Sequence, residues 1–256
     1  MLKVKDITAL TERFAPPELQ EEYDNCGLMY GDPEAEVSGV LVTLDINEKV
    51  VEEAVRKGAN YILTHHPCIF PSVSKLDHGL PVHRGFAAAI RANIAVYAAH
   101  TSADFAEGGL NDVLMKILGA EEFHCIGGDR RAPRIGKLAE PCTLKKFVKR
   151  VSEALGDDHI LYSGDDEKLI ESFAAVNGGG GNEECLRAAI NAGADVFLSG
   201  DFKYHVIRLA KDLGYAIINF GHFESEMPFV EMMTEYLKVA GVERVFGAES
   251  LEKPYN

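Results

Sequence analysis

Apolar residues recur along the chain with helical spacing in some stretches and as short continuous runs in others. Near the start, Val4, Ile7, Leu10 and Phe14 share one helical face, which predicts an amphipathic helix. The run VSGVLVTLD is rich in β-branched residues and ends at Asp45, which predicts a buried strand. The next apolar run, NYILTHHP, predicts a second strand.

The segment between these two strands, NEKVVEEAVRKG, predicts the helix of a βαβ unit. Val50, Val51 and Ala54 have helical spacing, Asn47 is a suitable N-cap, and Gly58 is a suitable C-terminal stop. A strand, a helix and a strand with short connections predict parallel strands. Ligands of such sheets bind outside the carboxyl ends of the strands.

The remaining patterns extend this α/β organisation. PVHRGFAAAIRANI predicts a helix, IAVYAAHTSAD a strand that runs into a polar turn, and NDVLMKILG a short helix. HCIGGDRRAPRIGKLAEPC is rich in glycine, proline and charge, which predicts a connection between two lobes. TLKKFVKRVSEALG then predicts a helix that begins a second α/β unit.

The second half of the chain partly repeats the first. EEAVRKGANYILTHH aligns with CLRAAINAGADVFLSGD, which places His66 on Asp201. IAVYAAHTSAD aligns with AIINFGHFESE, which places His100 on His222 and Asp104 on Glu226. Both a duplication and the general similarity of βαβ units explain this pattern.

Composition narrows the class of protein. The 256 residues are enough for one large domain or two small ones, and the formal net charge of −14 without a basic stripe makes nucleic acid an unlikely partner. No apolar run approaches the ~20 residues that span a bilayer, so we expect no membrane partner. An odd number of cysteines without a C-x-x-C pair, and a start without a signal-peptide core, predict a reducing, cytoplasmic location.

Histidines and carboxylates gather at the predicted strand ends. The pairs His100/Asp104 and His222/Glu226 have i, i+4 spacing, which places both side chains on one face of a helical turn. The doublet His65–His66 ends another strand. Imidazole and carboxylate together suit Zn²⁺, Mn²⁺, Fe²⁺ or Ni²⁺ better than Ca²⁺. These residues alternatively cap strand ends and bond to the backbone.

The histidine doublet bears on the number of metal ions. Successive side chains of a regular strand point to opposite faces, so His65 and His66 are expected to serve two ions rather than one. Two adjacent ions can polarise a substrate oxygen and activate water.

Five separated motifs resemble those of a known family. THHP with its following aromatic residue, AAHTSAD followed by GGLND, SGDFKYH, GHFESE and the early EEYDNCGL occur in the family order. This pattern is similar to the NIF3-like family, also named GTP cyclohydrolase 1 type 2 homologue or dinuclear metal centre protein.

The resemblance implies a fold and an assembly. It implies two similar, intertwined α/β lobes with a dinuclear metal site in the cleft between them, and a toroidal homohexamer. The chain resembles the short form, which has no central insert. We expect residues 1–125 to form the first lobe, completed by 221–256, and residues 126–220 to form the second.

The resemblance also implies a set of metal ligands. Its motifs carry these roles to His65, His66, Asp104, His222 and Glu226, with Glu226 as the bridging carboxylate. Two divalent metal ions are the implied cofactors.

Three further residues are candidates for catalytic or supporting roles. His100 is the repeat counterpart of His222 but lies outside the family's core ligands, so we expect it to support the metal site or to transfer protons. Asp201 and His205 in SGDFKYH are candidates of the same kind. They alternatively form the N-cap and first turns of a helix.

Two loops are candidates for substrate binding. The run Gly178–Gly181, with Gly179 and Gly180 at its centre, could cradle a phosphate with its backbone N–H groups or form only a tight turn. Asp24 and Asn25 could line the metal cleft or only shape a turn.

These observations favour a metal-dependent hydrolase of a small substrate. The resemblance suggests GTP cyclohydrolase 1 type 2-like activity on a nucleotide. Arg130, Arg131 and Arg134 could bind its phosphates or form a solvated loop. The alternative is a metal-binding or protein-interaction scaffold without turnover.

Overall fold

The computed structural model describes residues 1–71 and 73–255, and the chain forms two compact units. Unit 1 comprises Met1–Gly109 and Phe229–Asn256, and unit 2 comprises Leu110–Pro228. Unit 2 is therefore continuous in sequence and lies between the two segments of unit 1 along the chain. It begins earlier in the chain than residue 126, where the second lobe is expected to start.

Helices and strands alternate through both units. The α-helices are α1 (Val4–Phe14), α2 (Glu48–Lys57), α3 (Pro81–Arg91), α4 (Thr101–Phe105), α5 (Leu110–Ile117), α6 (Leu144–Leu155), α7 (Glu183–Asn191), α8 (Tyr204–Asp212), α9 (His222–Glu226) and α10 (Pro228–Val239). The strands are β1 (Gly27–Tyr30), β2 (Val40–Thr43), β3 (Tyr61–Thr64), β4 (Ala95–Ala98), β5 (Ala120–Cys125), β6 (Arg134–Thr143), β7 (Leu161–Ser163), β8 (Leu169–Ala175), β9 (Val196–Ser199), β10 (Ala216–Asn219) and β11 (Val245–Gly247). Short 3₁₀ turns lie at Pro17–Leu19 and Ile126–Gly128. None of the helices in the described ranges has the length and apolar character needed to cross a bilayer.

Unit 1 contains a five-stranded sheet in the order β1-β4-β3-β2-β11. The strands β4, β3, β2 and β11 are parallel, and β1 joins the edge in the antiparallel direction. The predicted βαβ unit is confirmed. Asn47 caps α2 by accepting the amide N–H of Val50, and Gly58 ends the helix in the left-handed conformation.

Every residue of β2, β3 and β4 in unit 1 is buried, as is typical of strands that are covered on both faces. Leu41, Ile62 and Val96 pack with apolar residues of α2 and α3 in one core cluster. On α10, Tyr236 donates its hydroxyl to the carbonyl oxygen of Leu10 on α1 at 2.9 Å. The parallel pairing of β2, β3 and β4 brings the carboxyl ends of these strands to one edge of the sheet.

Unit 2 contains a six-stranded mixed sheet in the order β5-β6-β8-β9-β10-β7. Strands β8, β9 and β10 are parallel, and the other pairings are antiparallel. On one face, Phe173 packs with Phe147 of α6. On the other, Phe197 packs with Leu186 of α7 and Val206 of α8. Unit 2 is therefore a three-layer α/β/α unit, and the prediction of a mixed α/β fold is confirmed.

One element prediction is wrong. The segment HCIGGDRRAPRIGKLAEPC, expected to be a connection, contains the end of β5 and most of β6. A side chain at Gly136 would come within 2.7 Å of the carbonyl oxygen of Glu122, so glycine permits the close approach of β5 and β6. Pro141 falls where the β6–β8 register is irregular, between Lys137 and Cys142. Gly136 and Pro141 are therefore parts of strand β6 and do not form a turn.

Candidate metal centre

In unit 1 the candidate ligands lie just beyond the carboxyl ends of three neighbouring parallel strands. Asp45 follows β2, His65 and His66 follow β3, and His100 follows β4. The strand order β4-β3-β2 brings these positions to one edge of the sheet. His65, His66 and His100 can each offer a ligand atom within 4.8 Å of the other two.

The rings of the two adjacent histidines, His65 and His66, are neighbours. Their ring centroids lie 5.0 Å apart. The rings are close because β3 ends at Thr64, so the alternation of a regular strand does not extend to His65 and His66; that the two residues serve two ions stays a prediction. His65 is fully buried and also contacts the ring of Phe229, with centroids 4.8 Å apart.

Hydrogen bonds of the Nδ1 atoms define which ring nitrogen each of these two histidines can offer to a metal. His65 Nδ1–H donates to the carbonyl oxygen of Ala99 at 3.0 Å, and His66 Nδ1–H donates to Asp45 Oδ1 at 2.8 Å. Carbonyl and carboxylate oxygens act only as acceptors, so Nδ1 carries the proton in both rings. A neutral ring then has its lone pair on Nε2, which is the arrangement found in metal-binding histidines.

His100 has the same arrangement through Asp24. His100 Nδ1–H donates to Asp24 Oδ1 at 2.8 Å, and the amide N–H of Thr101 donates to Asp24 Oδ2 at 3.0 Å. Burial raises the pKa of Asp24, but hydrogen bonds from His100, Thr101 and the amide N–H of Asn25 lower it well below its ordinary value. Asp24 is therefore an ionised acceptor that orients the His100 ring.

Asp104 lies on α4 and faces His65. Its Oδ1 is 3.6 Å from His65 Nε2, and the residue is buried. In the neutral form of the His65 ring, whose proton is on Nδ1, Nε2 offers its lone pair on the side of this carboxylate. The separation of 3.6 Å is normal for two atoms that bind the same metal at about 2.1 Å.

In unit 2, His222 and Glu226 form a contact pair on the five-residue helix α9. His222 Nε2 lies 3.0 Å from Glu226 Oε1, and His222 Nδ1 lies 2.6 Å from Asp201 Oδ2. Burial lowers the pKa of His222, but the hydrogen bonds and charges of Glu226 and Asp201 raise it to about 9. The imidazole thus sits between two carboxylates in a field that attracts cations.

Asp201 reaches His222 from a left-handed backbone conformation. Its φ is +47°, which is uncommon for a residue other than glycine and is tolerated best by Asn and Asp. The conformation occurs directly after β9 and Gly200. In unit 2, the carboxylate that accepts the hydrogen bond from His222 Nδ1 therefore follows β9, the strand that neighbours β10.

The glycine-rich run packs against the carboxylate of Glu226. Gly178 has φ of +53°, and a Cβ there would come within 2.2 Å of Glu226 Oε1. Its N–H donates to the hydroxyl of Ser225 at 3.1 Å, so this amide serves the turn. Gly179 and Gly180 follow in the same turn, and Gly180 N–H approaches the carbonyl oxygen of Asn177 at 3.4 Å.

The remaining predicted residues contact the surrounding structure or are exposed. Asn25 donates its side-chain amide to the carbonyl oxygen of Ile69 at 2.8 Å and so anchors a loop. His205 is exposed in the first turn of α8 and, within residues 1–71 and 73–255, joins no group of three candidate ligands. Arg134 is buried and donates to Asp112 Oδ1 at 2.7 Å, which makes it a poor candidate for a phosphate. Arg130 and Arg131 are exposed.

Sequence patterns did not identify Asp45 or the carbonyl of Ala99 as parts of the site. Asp45 ends the first strand of the βαβ unit, and the rule that ligands collect at the carboxyl ends of parallel strands applies to it as well as to His65. The carbonyl of Ala99 has no signal in sequence, because every residue carries one.

The donor set in each unit fits a divalent transition metal. The nitrogen donors are imidazoles whose Nδ1 atoms have oxygen acceptors, and the oxygen donors are the buried carboxylates Asp104 and Glu226. Mixed nitrogen and oxygen ligands of this kind suit Zn²⁺, Mn²⁺, Fe²⁺ or Ni²⁺.

Comparisons with known proteins give one consistent result. The sequence model of the family Duf34/NIF3 (NGG1p interacting factor 3) matches residues 2–251. A Clostridium acetobutylicum protein named GTP cyclohydrolase 1 type 2 homolog is 36% identical over 245 residues, which cover 93% of this chain and 91% of the relative. A Clostridium perfringens protein of the same name is 34% identical over 242 residues, covering 93% and 92% of the two chains.

Solved structures have the same fold. A hypothetical protein of Staphylococcus aureus has a TM-score of 0.90 and 25% identity, and the match covers 99% of this chain and 98% of the other. A Bacillus cereus protein related to NIF3 has a TM-score of 0.89 and 22% identity, covering 100% and 99%.

Proposed function

The chain belongs to the Duf34/NIF3 family, and from that premise we propose that it is a divalent-metal-dependent hydrolase of a small substrate. The observation that carries the proposal is the shared orientation of the candidate histidines. In each, Nδ1 is held by an oxygen acceptor, so Nε2 is the nitrogen that the neutral ring would offer to a metal.

Each unit contributes ligands to the proposed function. In unit 1 they are His65, His66 and Asp104, and in unit 2 they are His222 and Glu226. Two divalent ions bound by this set would act as Lewis acids that polarise a substrate oxygen and activate water at neutral pH. Asp45 and Asp201 accept hydrogen bonds from Nδ1 of His66 and His222 and so orient the two rings.

A nucleotide is the first substrate to test, because the relatives are named as homologues of GTP cyclohydrolase 1 type 2. That activity opens the imidazole ring of guanine and releases formate. The exposed Arg130 and Arg131 are the candidates for contacts with phosphates, since Arg134 is engaged with Asp112. The homohexamer implied by the resemblance stays a prediction.

The family description also favours a second candidate function. It names an interacting factor, which suits a metal-binding scaffold that has no turnover. The same ligands would then stabilise a binding surface.

Glu226→Gln distinguishes the two functions. Purified protein is incubated with GTP and Mn²⁺, Zn²⁺ or Fe²⁺, and formate release is measured alongside metal content. We expect the wild-type protein to release formate and Glu226→Gln to release it at least 100-fold more slowly. Removal of a metal ligand should reduce activity by no less than removal of the residue that hydrogen-bonds to a ligand. Glu184→Gln, an exposed carboxylate on α7, is the matched control and should keep full activity.

The result that opposes GTP hydrolysis is equally clear. If GTP stays intact with every metal while the protein holds its ions, the cyclohydrolase function is rejected and the scaffold is favoured. Equal rates for Glu226→Gln and wild type would place any activity elsewhere in the molecule.

A further inference from the structure

We propose that Tyr23 and Phe70 form a stacking site for the aromatic base of a nucleotide, next to the candidate centre. Both residues belong to unit 1. The inference rests on the proposed function for the class of substrate, a nucleotide, and requires neither a bound metal ion nor hydrolysis.

The first support is the exposure of two neighbouring aromatic side chains. Tyr23 is 67% exposed and Phe70 is 46% exposed. Their ring centroids lie 6.4 Å apart, and the ring planes are tilted by 58°. Single exposed apolar residues are normal on a protein surface, whereas contiguous apolar surface is typical of interaction sites. The folded chain thus leaves the aromatic surface of two adjoining rings accessible to a ligand.

The second support is the position of this pair beside the candidate centre. The ring of Phe70 also contacts that of His100, with centroids 6.3 Å apart and an interplanar angle of 65°. Tyr23, Phe70 and His100 therefore form a continuous row of rings from the surface to the residue that follows β4. A base that stacks on Phe70 would lie next to the groups proposed to act on the substrate.

The turn that carries Tyr23 is anchored to α4. The N–H of Asp24 donates to the carbonyl oxygen of Glu21 at 3.0 Å, which closes the turn. The N–H of Glu21 donates to the hydroxyl of Thr101 at 2.9 Å. The inaccessible carboxylate of Asp24 accepts the N–H of Thr101 at 3.0 Å. The backbone on both sides of Tyr23 is therefore fixed, while the Tyr23 ring is exposed.

A hydrogen bond joins this turn to the segment that carries Phe70. Asn25 donates its side-chain amide to the carbonyl oxygen of Ile69, the residue before Phe70, at 2.8 Å. The two rings are thus held next to each other before a ligand arrives. A preorganised site binds its ligand at a smaller entropy cost than a mobile one. Asn25, a predicted substrate-binding residue, therefore positions the aromatic pair.

The chemistry of the pair favours a nucleotide base as the occupant. Every base has a flat π-face that stacks on aromatic side chains. The tilt between the two rings suits a base that stacks on one ring and meets the edge of the other, because aromatic groups prefer offset-stacked and edge-to-face contacts. A ligand without a π-system gains neither contact.

The test measures ligand binding by the metal-free full chain. Isothermal titration calorimetry compares guanosine 5′-monophosphate, which contains a base, with ribose 5-phosphate, which does not. We expect the wild-type protein to bind the nucleotide more tightly than the sugar phosphate. Phe70→Ala or Tyr23→Ala should weaken binding of the nucleotide about 5–150-fold, the range that corresponds to the loss of one base–aromatic stacking contact. Neither variant should change binding of the sugar phosphate.

Matched variants separate stacking from apolar contact. Phe70→Tyr and Tyr23→Phe keep an aromatic ring and should bind the nucleotide as wild type does. Phe70→Leu keeps an apolar side chain without a π-face and should bind it as weakly as Phe70→Ala. Tyr204→Ala removes an exposed tyrosine of unit 2 and should have no effect.

A second readout detects the stacking itself. In ¹H spectra, binding to the wild-type protein should move the H8 signal of the nucleotide upfield, because a stacked ring shields it. Phe70→Leu should abolish this shift. Circular dichroism checks that each variant is folded.

Three outcomes overturn the inference. One is equal affinity of the wild-type protein for the nucleotide and the sugar phosphate, or no binding of either. Another is unchanged nucleotide affinity in folded Phe70→Ala and Tyr23→Ala. The third is unchanged affinity together with altered subunit association in these variants, which would make the pair a contact between copies of the chain.

The inference and the proposed hydrolase can fail separately. If the nucleotide binds as expected but formate is never released with any metal, the stacking site stands and the hydrolase is rejected. If formate is released and Phe70→Leu leaves KM for GTP unchanged, the hydrolase stands and the stacking site is rejected.

Discussion

At the scale of single residues, the candidate centre depends on outer acceptors as much as on the ligands. His65, His66, His100 and His222 each donate Nδ1–H to an oxygen, which in three cases belongs to an aspartate. This arrangement orients each ring with Nδ1 towards its acceptor before any metal binds. The aspartates are therefore as informative about function as the histidines.

Gly178→Ala tests whether backbone geometry positions the carboxylate of Glu226. The new Cβ would meet Glu226 Oε1 at 2.2 Å in a residue with φ of +53°. We expect unit 2 to lose about 1–2 kcal/mol from the left-handed conformation alone, and more from displacement of the carboxylate. Urea denaturation and Zn²⁺ affinity measure the two effects.

Gly179→Ala is the matched control for this substitution. The nearest atom to its Cβ is His222 Cε1 at 3.8 Å, which is an ordinary contact. It should change stability by less than Gly178→Ala. Equal effects of the two substitutions would show that the contact with Glu226 is unimportant.

At the scale of elements, a buried carboxylate on α2 holds the C-terminal segment of unit 1. Glu53 is fully buried, pairs with Lys57 at 2.8 Å, and accepts the amide N–H groups of Glu249 and Ser250. Burial by itself raises the pKa of Glu53, but the hydrogen bonds from Lys57, Ser250 and Glu249 lower it to about 2. The residue thus links α2 to the chain beyond β11.

This pKa predicts a loss of stability in acid. The pKa of Glu53 is about 2 in the folded chain against an ordinary value of 4.5. The stabilisation, up to about 3 kcal/mol, is therefore complete above pH 4.5 and is lost as pH falls towards 2. The free energy of unfolding of Glu53→Gln should lie below that of wild type at pH 7, and the gap should narrow in acid.

Glu52→Gln provides the control on the same helix, because Glu52 is exposed. Chemical denaturation between pH 3 and 7 should show little difference between this variant and wild type. A gap between Glu53→Gln and wild type that stays constant over the same range would contradict the role of Glu53.

At the scale of the whole molecule, metal binding should stabilise the folded chain. A ligand that binds only the folded state at 100 times its Kd adds about 2.7 kcal/mol to the free energy of unfolding. For a chain of this size, that corresponds to a rise in Tm of about 5–10 °C. Thermal melts with and without Mn²⁺ or Zn²⁺ measure it, and a chelator should reverse it.

The variant His65→Ala/Glu226→Gln removes one candidate ligand from each unit and should show a smaller rise in Tm than wild type. His78→Ala should behave as wild type. A rise of the same size in the double variant would mean that the metal binds elsewhere.

Much of the fold follows from local sequence pattern. The prediction is confirmed for the helix that Asn47 caps and Gly58 ends, for the buried strands around it and for their parallel pairing. These features are predictable because periodicity and capping act over a few residues. Strand β6 was missed because Gly136 and Pro141 resemble turn residues until the neighbouring strands β5 and β8 are known.

The sequence by itself determined that histidines and carboxylates follow the strands, that two pairs have i, i+4 spacing, and that the motifs belong to one family. Only the tertiary structure decided which atoms meet. Asp24 reaches His100 across 76 positions of the chain, and Asp45 reaches His66 across 21. Such contacts depend on strand order and register, and spacing along the chain does not encode them. For that reason the residue types of the centre are visible in the sequence, while the tautomers and orientations of its histidines come from the fold.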